Sequence, residues 1–599
     1  MLRSIAALAA LLVPTQLLAA PPNVVLIVAD DLGWRDLGCY GSTYHKTPHI
    51  DRMAKDGARF TEFYAACPVC SPTRASLLTG RYPQRMNITD WLPGRPDNPN
   101  QKLKRPAIES ELPSGEVTLA EAFKNAGYAT GIIGKWHLGN DPKKHGFEVN
   151  IGGDHTGTAR SYFAPFQNKL GAIPGLENAP DGEYLTDRLA AEAEKYIDAN
   201  KEKPFFLYLP HYAPHTPLVA KKDVIAKYSG SPAHGKQNHP VYAAMVESLD
   251  DAVGRVLKKL DDLKLSENTI VIFTSDNGGL ATLEGMPFAP TINSPLREGK
   301  GYLYEGGIRV PFILKWPGHV KPAMIGAVGS SIDVYSTLLD LANVHLPNNE
   351  QPPPLDGVSL KPVLNGGKVE RKDDAIYWHY PHYANQGSKP GGAIRAGDFK
   401  LIEYYETGRR ELFDIKNDAG ENRNLILDKK SVADNLAARL DAWRKSVGAK
   451  MPMPNPAYKP NPPNKDGVIT LPASSAEVIG VMLRYEPLPH KNTLGFWVNK
   501  DDRAAFDFTV EKAGTYTVEV LQGCGKGSGG AEVALKSAGQ SLTFTVKDTG
   551  GFQAFEAREV GEFRFDEPGR FRLQVIPNTK PGVAVMDLRQ IVLKPKTKS

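Results

Sequence analysis

The chain has 599 residues, of which 41% are hydrophobic and 23% are charged, and its formal net charge at pH 7 is +5. This length favours two or three domains, and the ordinary composition excludes a disordered or fibrous protein. The small net charge, without long basic runs, gives no support for binding to nucleic acid or to a membrane surface.

The first twenty residues have the pattern of a cleavable secretory signal. Arg3 precedes an apolar run at residues 5–14, and small residues end the segment at Ala20. This run is too short to span a bilayer, and no later stretch of the sequence is apolar enough to do so. We therefore predict a signal peptide at residues 1–20 and a secreted or periplasmic protein, with a buried N-terminal helix as the alternative.

Residues 21–370 have the pattern of an α/β domain. Short apolar runs alternate with amphipathic stretches, which is typical of strands and crossover helices around a mostly parallel sheet. The clearest predicted strands are residues 24–29, 128–133, 205–209 and 269–274. Helices are predicted at residues 185–197 and 241–260.

The rest of the chain divides at a proline-rich segment. Residues 371–450 contain short aromatic strands and a helix at 432–446, which indicate a small antiparallel α+β subdomain. Residues 451–465 contain six prolines and predict a stiff linker. Residues 466–599 alternate apolar and polar residues between Gly-rich turns, as in an antiparallel β-sandwich.

Two predicted strands are followed by small acidic clusters. Asp30 and Asp31 follow the first strand, and Asp276 and Asn277 follow the strand at 269–274. Ligands gather at the carboxyl ends of strands in an open α/β sheet, so the two clusters can converge there. Three carboxylates and one amide oxygen are hard ligands suited to Ca²⁺ or Mg²⁺. We predict a divalent-cation site, with turn residues that cap the next helices as the alternative.

The segment around Cys70 predicts a reactive position at a helix start. Pro72 is expected to open the helix, so Cys70 would lie just before it, where free backbone amides favour an anion. Arg74 adds a fixed positive charge one turn along. Cys67 and Cys70 have the spacing of a redox or half-zinc motif, but no second cysteine pair completes a zinc site. The residues alone leave a reactive thiol or a buried structural cysteine.

A family resemblance narrows these alternatives. The segment Cys70-Ser71-Pro72-Thr73-Arg74, followed by Leu78-Thr79-Gly80-Arg81, resembles the signature of the formylglycine-dependent type I sulfatases of the alkaline phosphatase superfamily. Residues 127–137 resemble the second signature of that family, and residues 296–316 resemble its lysine-containing Gly-rich stretch. The similarity covers roughly residues 22–450.

The resemblance implies an alkaline-phosphatase-like fold and a sulfuric ester hydrolase. It implies that a formylglycine-generating maturation enzyme oxidises Cys70 to formylglycine, whose hydrate has two hydroxyls. The first attacks sulfur, and the second allows the aldehyde to reform and release sulfate. The cation would be Ca²⁺, with Mg²⁺ as the second choice, and it would polarise the nucleophile and the sulfate oxygens. The implied ligands are Asp30, Asp31, Cys70, Asp276 and Asn277.

Further roles also come from the resemblance. His215 would protonate the leaving alcohol, and Lys300 would hold a sulfate oxygen. Lys135 would clamp the hydrated aldehyde, His137 would remove its second proton, and Arg74 would steady the same residue. Outer positions that could line the substrate mouth are Asp154, His155, His379, His382, Arg395 and Lys400, for which aromatic packing is the alternative at residues 378–383.

Two other functions compete with this prediction. A phosphate or phosphonate ester hydrolase of the same superfamily is the first, but a binuclear zinc phosphatase needs more histidine and aspartate ligands than this one-metal, oxygen-rich set. A non-catalytic glycan-binding protein is the second, because a sandwich after a proline-rich linker is a common form of carbohydrate-binding module. Aromatic residues that would either stack on sugars or fill the core are Phe496, Trp497, Phe552 and Phe555. We expect a sulfated carbohydrate as the substrate.

Overall fold

The computed structural model of the protein describes residues 20–345 and 353–596. The predicted signal peptide lies outside these described residues except for Ala20. Within the described ranges, no helix is long and apolar enough to cross a membrane.

The N-terminal part alternates strands and helices, as predicted. Its strands are β1 (Asn23–Ala29), β2 (Ala58–Tyr64), β3 (Leu103–Lys104), β4 (Ala129–Ile133), β5 (Val149–Ile151), β6 (Gln167–Asn168), β7 (Gly171–Ala172), β8 (Phe205–Pro210), β9 (Thr269–Ser275), β10 (Arg309–Lys315), β11 (Ala323–Ile325) and β12 (Gly329–Ser330). Its helices are α1 (Pro48–Asp56), α2 (Cys70–Thr79), α3 (Leu119–Asn125), α4 (Leu185–Ala199), α5 (Lys222–Ile225), α6 (Pro240–Asp262), α7 (Glu305–Ile308), α8 (Asp333–Ala342) and α9 (Lys361–Leu364).

One mixed sheet organises this part. Its order is β11-β2-β10-β9-β1-β8-β4-β5, with β12 also paired to β2. Strands β9, β1, β8, β4 and β5 are parallel neighbours, whereas β10 runs antiparallel to β2 and β9. The predicted mostly parallel sheet is confirmed.

Helices cover both faces of the sheet, which explains why its strands read as continuous apolar runs. In β1, Val25 and Ile27 pack in the cluster that contains α4 and α6. Val24, Leu26 and Val28 point to the other face, where α2, α3 and α8 pack. The core therefore lies on both sides of the sheet and holds its strand ends in fixed positions.

A four-stranded antiparallel sheet follows, in agreement with the predicted α+β subdomain. Its strands, in spatial order, are β13 (Ala375–Tyr380), β14 (Gly391–Ala396), β15 (Phe399–Tyr404) and β16 (Arg410–Asp414). The helix α10 (Lys430–Ser446) packs on this sheet. Trp443 of the helix stacks on Tyr377, with ring centroids 4.9 Å apart.

The first part of the proline-rich segment, residues 453–459, is hydrogen-bonded to the N-terminal part. Its strand β17 (Met453–Pro454) pairs with β3. The backbone N–H of Asn455 donates to the carbonyl of Lys102 at 2.9 Å, and that of Lys459 donates to the carbonyl of Pro99 at 2.7 Å. This segment connects the α+β subdomain to the C-terminal sandwich and is held by these backbone hydrogen bonds.

Two antiparallel sheets form the C-terminal sandwich. The strands are β18 (Ile469–Pro472), β19 (Glu477–Ile479), β20 (Arg484–Glu486), β21 (Thr493–Gly495), β22 (Arg503–Val510), β23 (Gly514–Cys524), β24 (Glu532–Ser537), β25 (Gln540–Thr545), β26 (Gly551–Phe565), β27 (Gly569–Pro577) and β28 (Asp587–Pro595). One sheet has the order β20-β21-β28-β23-β26 with β18 on β28, and the other has the order β19-β22-β27-β24-β25. Trp497 lies in the core between them, whereas Phe496, Phe552 and Phe555 are half-buried.

Candidate active site

The two acidic clusters meet at one edge of the central sheet. Because β9 and β1 are parallel neighbours, their carboxyl ends lie side by side. Asp30 and Asp31 directly follow β1, and Asp276 and Asn277 directly follow β9. All four side chains are buried, and Nδ2 of Asn277 donates to Oδ1 of Asp31 at 2.7 Å.

The other predicted site residues come to the same edge from four further elements. Lys135 and His137 follow β4, and His215 lies in the loop after β8. Cys70 opens α2, which follows β2. Lys300 precedes α7 and β10, and β10 starts at this edge because it runs antiparallel to β9. Neighbouring parallel strands therefore position most of the site.

Arg74 joins α2 to two strand ends. Its Nε and Nη2 donate to Oδ2 of Asp276 at 2.9 and 2.7 Å, and its Nη1 donates to the carbonyl of Lys135 at 3.0 Å. Nζ of Lys135 in turn donates to Oδ2 of Asp30 at 2.7 Å. These side chains have no solvent exposure, so the network is shielded from water.

Lys300 forms the second network of the site. Its Nζ donates to Oδ2 of Asp31 at 2.8 Å and lies 3.2 Å from Nε2 of His215. Nδ1 of His215 lies 2.6 Å from the carbonyl of Thr216, so Nδ1 carries the hydrogen and Nε2 accepts from Lys300. Burial and the neighbouring Lys300 lower the pKa of His215 to about 3, so the free site holds it neutral.

Cys70 is the first residue of α2, so the predicted helix start at Pro72 is wrong by two residues. Proline fits anywhere in a first turn, because the backbone amides there have no partner within the helix. Val69 precedes the helix in an extended conformation and forms no side-chain cap. The free amides of the helix start therefore surround Cys70 itself.

The surroundings of Cys70 do not favour a thiolate. Its side chain is 3% exposed, and burial raises its pKa to about 11, although Lys135 and Lys300 act in the opposite direction. A cysteine nucleophile needs a lowered pKa, so the reactive-thiol interpretation loses support. Cys67 is also a free thiol, and its backbone N–H donates to Oγ1 of Thr73 at 3.2 Å.

His137 is held so that one ring nitrogen stays available. Nε2 lies 2.7 Å from the carbonyl of Leu92 and must donate to it, which leaves Nδ1 as a buried acceptor without a partner among the described residues. Its backbone φ is 56°, in the left-handed region that side chains rarely adopt. Gly157 permits the ring's position, because a Cβ there would lie 2.5 Å from Nε2. Burial and Lys135 keep the pKa of His137 well below 6.5.

The oxygen-rich cluster fits a divalent cation. Oδ1 of Asp30 and Oδ1 of Asn277 are buried and have no hydrogen-bond partner among the described residues. Ligand atoms of Asp30, Asp31, Cys70 and His215 all lie within 4.8 Å of one another. Burial, together with the charges of Asp276 and Asp31, raises the pKa of Asp30 to about 8 although Lys135 and Arg74 oppose it, so the ionised form of this carboxylate would gain from added positive charge. A bound cation would supply that charge.

A cavity of about 310 Å³ opens onto this cluster. Cys70, His137, His215 and Lys300 line it, and so does His155 of the predicted outer residues. The cavity wall also includes Trp91, Leu92, Pro93, Glu284, Asn385 and Gln386, which the sequence reasoning missed. These residues lie in loops outside the recognised segments, and no spacing in the sequence identified them.

Several predicted outer residues form hydrogen bonds with partners away from the cavity. Asp154 accepts a hydrogen bond from its own loop at Thr156 and supports the backbone N–H of His137 through its carbonyl. His382 bonds to Thr89, with 2.8 Å between Nε2 and Oγ1. His379 bonds to Tyr405 and to the carbonyl of Lys450. Among the described residues, those that line the cavity do not include Asp154, His379 or His382.

Arg395 and Lys400 belong to a buried ion cluster away from the cavity. Arg395 pairs with Glu62, and Lys400 lies between Glu305 and Glu421, at 3.0 and 2.9 Å. The predicted place of Lys400 at the substrate mouth is therefore wrong, because both of its carboxylate partners are fully buried. These ion pairs join the α+β subdomain to the central sheet.

Comparisons with known proteins identify the family of the chain. The family model described as Sulfatase matches residues 22–344, and the model described as N-sulphoglucosamine sulphohydrolase, C-terminal, matches residues 299–446. Human N-acetylgalactosamine-6-sulfatase is 36% identical over 385 residues, which cover 60% of this chain and 68% of that protein. Human Arylsulfatase A is 34% identical over 462 residues, which cover 68% of this chain and 84% of that protein.

Solved structures also resemble this chain. The crystal structure of Ps i-CgsB in complex with k-i-k-neocarrahexaose is 31% identical, with a TM-score of 0.60, and covers 71% of this chain and 92% of that chain. A phosphonate monoester hydrolase of Agrobacterium radiobacter shares the fold at 21% identity and a TM-score of 0.53. The chain belongs to the sulfatase family, within the alkaline-phosphatase-like superfamily. It is a sulfuric ester hydrolase.

Proposed function

We propose that this protein hydrolyses sulfate esters on a sulfated carbohydrate, using a formylglycine made from Cys70 and a bound Ca²⁺. The observation that carries the proposal is the placement of Cys70 at a helix start, within one cavity that also contains His137, His215 and Lys300. The carbohydrate is supported by the relatives, whose names include N-acetylgalactosamine-6-sulfatase, and by the structure bound to k-i-k-neocarrahexaose.

The charges of the site suit a sulfate ester only when a cation is present. Three carboxylates, those of Asp30, Asp31 and Asp276, balance three cations, those of Arg74, Lys135 and Lys300. A divalent cation held by the aspartates and Asn277 would leave an excess of positive charge to receive the anionic sulfate. Bound there, Ca²⁺ would act as a Lewis acid toward the sulfate oxygens and the nucleophile.

The residue at position 70 would supply the nucleophile after maturation. A hydrated aldehyde offers one hydroxyl to attack sulfur and a second whose deprotonation releases sulfate. His137 would take that second proton, and this role is supported by its available acceptor Nδ1 and its neutral ring. Arg74 and Lys135 hold the surrounding backbone and carboxylates and do not themselves move a proton in this scheme.

Protonation of the leaving alcohol would come from the Lys300 and His215 pair. Lys300 carries the proton in the free site, because Asp31 and other negative charges keep its pKa well above 10.5 although burial opposes them. A sulfate ester adds negative charge beside His215 and so favours its protonated form. The pair can then deliver one proton to the bridging oxygen as the ester bond breaks.

The same proposal includes the organisation of the whole chain. We place a signal peptide at residues 1–20, the catalytic α/β domain at 21–370, its α+β subdomain at 371–450, the proline-rich segment at 451–465 and the accessory sandwich at 466–599. The protein would be secreted or periplasmic, and a formylglycine-generating enzyme of its host would be its maturation partner. N-terminal sequencing of the exported protein tests the first boundary, with Pro21 expected near the start.

The direct test is a substrate screen with matured enzyme. Sulfated mono- and oligosaccharides are compared with aryl sulfate and aryl phosphate esters, and the Cys70→Ala variant is the matched control. We expect release of inorganic sulfate from at least one sulfated sugar and none in the variant. A clear preference for the phosphate ester would replace sulfate with phosphate as the substrate group.

A further inference from the structure

A second cavity lies where the three parts of the chain meet. Its volume is about 90 Å³, which is room for a few water molecules or one small oxyanion. We call it the junction pocket, and its lining includes Arg297 and Tyr304 from the N-terminal part, Lys389, Glu406 and Arg409 from the subdomain, and Glu477, Arg484 and Tyr485 from the sandwich. Each part of the chain therefore contributes one or more cations.

The arginines of the junction pocket have unused hydrogen-bond donors. Nη1 of Arg297 and Nη1 of Arg484 both donate to the carbonyl of Glu421, at 3.3 and 3.4 Å. The Nε groups of Arg297, Arg409 and Arg484 are buried and have no hydrogen-bond acceptor among the described residues. Buried donors of this kind favour binding of an acceptor with several oxygens.

Aromatic rings hold two of these guanidinium groups in place. The guanidinium of Arg297 lies 3.8 Å from the ring centroid of Tyr304, and that of Arg484 lies 3.5 Å from the ring centroid of Phe496. The side chain of Arg297 is only 7% exposed. Stacking fixes each planar group and directs its N–H bonds sideways, so little side-chain entropy would be lost on binding an anion.

The acids at the edge of the junction pocket already have partners. Arg409 pairs with Glu411 at 2.7 Å, and Lys389 pairs with Glu406 at 3.2 Å. Glu477, which also lines the pocket, pairs with Lys102 on its other side at 3.2 Å. Among the described residues, these pairs leave Arg297 and Arg484 as the lining cations without a short carboxylate contact.

The contacts of these two arginines with carboxylates are long. Glu298 lies 3.5 Å from Nε of Arg297, and Glu486 lies 3.7 Å from Arg484 while bonding to Lys491 at 2.7 Å. Burial lowers the pKa of Arg484, and the charge of Arg297 lowers it further. The two guanidinium groups thus repel each other in the absence of an anion.

One layer of chain separates the junction pocket from the cavity at Cys70. Gln386 lines the catalytic cavity, whereas Gly387 and Ser388 line the junction pocket. Adjacent residues of one loop therefore line the two cavities. The hydroxyl of Tyr302 donates to the carbonyl of Gln386 at 2.8 Å and holds this layer.

We propose that the junction pocket binds a sulfate or carboxylate group on a neighbouring sugar of the substrate, while the sulfate ester to be cleaved occupies the cavity at Cys70. This rests on the proposed function, because it takes the substrate to be an acidic oligosaccharide. Arg484 lies on β20, so the sandwich would take part in substrate recognition through a fixed contact. Arg297 and Arg484 together would form the fork that holds the oxyanion.

Crystals soaked in selenate, which has the shape of sulfate and an anomalous signal, test the pocket without catalysis. We expect an anomalous peak between Arg297 and Arg484 in the wild type and no such peak in the Arg484→Gln variant. Arg503→Gln removes an exposed arginine of the same domain, and it should keep the peak. Absence of the peak in the wild type, or its persistence in Arg484→Gln, would overturn the assignment.

Kinetics decide whether the bound anion belongs to the substrate. For a sulfated oligosaccharide with a second acidic group, Arg484→Gln should raise KM by about tenfold and leave kcat unchanged. KM for a small aryl sulfate should not change, and Arg503→Gln should match the wild type on both substrates. A selenate peak with an unchanged oligosaccharide KM would mean an adventitious ion only and would defeat the proposal. If no sulfate ester is hydrolysed, the proposed function fails, and the selenate peak still decides whether the pocket is an oxyanion site.

Discussion

Nζ of Lys300 lies 3.2 Å from Nε2 of His215, and both groups face the same carboxylate of Asp31. The hydrogen on Nδ1 of His215 is committed to the carbonyl of Thr216, so Nε2 is the nitrogen that would exchange a proton in the proposed mechanism. The pair therefore acts as one unit in the proposed protonation of the leaving group.

Replacing His215 should slow hydrolysis most for substrates whose leaving group needs a proton. We expect His215→Ala to lower kcat for sulfated sugars by about 10²–10⁴-fold, the usual contribution of general acid catalysis. The loss should be much smaller for nitrophenyl sulfate, whose leaving group departs without a proton. Initial rates on both substrates provide the test, and equal losses on the two would remove His215 from this role.

Removal of Arg74 should destabilise the fold strongly. Arg74→Met leaves the buried carboxylate of Asp276 without its partner, and breaking a buried pair costs about 3–5 kcal/mol. Arg52→Met is the matched control, because Arg52 pairs with Asp56 on the surface and such pairs contribute about 0–1 kcal/mol. Chemical denaturation in the presence of a chelator measures both, and similar losses in the two variants would contradict the network described for Arg74.

Calcium should stabilise the protein through the acidic cluster at Asp31. At a free Ca²⁺ concentration 100 times Kd, a site present only in the folded state adds about 2.7 kcal/mol. We expect Ca²⁺ to raise the thermal midpoint of the wild type and of Asp251→Ala, which alters a separate acidic group near His49. Asp31→Ala should lose the effect, and loss in Asp251→Ala with retention in Asp31→Ala would place the cation elsewhere.

Buried His382 should make the protein sensitive to acid. Burial lowers its pKa to about 3, below the value of 6.5 expected in the unfolded chain. Its contribution to stability is therefore complete above pH 6.5 and is lost as the pH falls toward 3, by about 1.4 kcal/mol per pH unit. The His382→Gln variant has no imidazole to protonate at this position. As the pH falls from 6.5 to 4.5, its free energy of unfolding should therefore rise relative to that of the wild type.

Denaturation curves at several pH values measure this difference. His345→Gln, which changes an exposed histidine, should follow the wild type throughout. Parallel pH curves for wild type and His382→Gln would contradict the assignment of His382 as a buried neutral group.

Sequence reasoning located the site because strand order can be inferred from local patterns. Asp30 and Asp276 each follow an apolar run, and parallel neighbours place such ends together, as the structure shows for β1 and β9. The prediction of the helix start at Pro72 failed by two residues, because local propensity does not decide which first-turn position a proline takes.

The outer residues could not be predicted in the same way. His379, His382 and Lys400 look like substrate contacts in the sequence, but tertiary packing supplies partners from distant segments, such as Thr89 and Glu305. Trp91, Glu284 and Gln386 reach the cavity from irregular loops, whose paths no periodic pattern defines. The sequence also predicted a stiff segment at residues 451–465. Its pairing with β3 depends on the tertiary structure and could not be predicted from its composition.

The central claim is that hydrolysis depends on formylglycine at position 70, and peptide mass spectrometry combined with a sulfate-release assay tests it most directly. Conversion lowers the mass of residue 70 by about 18 Da, whereas a disulfide between Cys67 and Cys70 would lower the mass of the pair by about 2 Da. We predict that specific activity on a sulfate ester rises in proportion to the fraction of the peptide that shows the 18 Da loss. Full activity in a preparation whose Cys70 is unmodified would contradict the account.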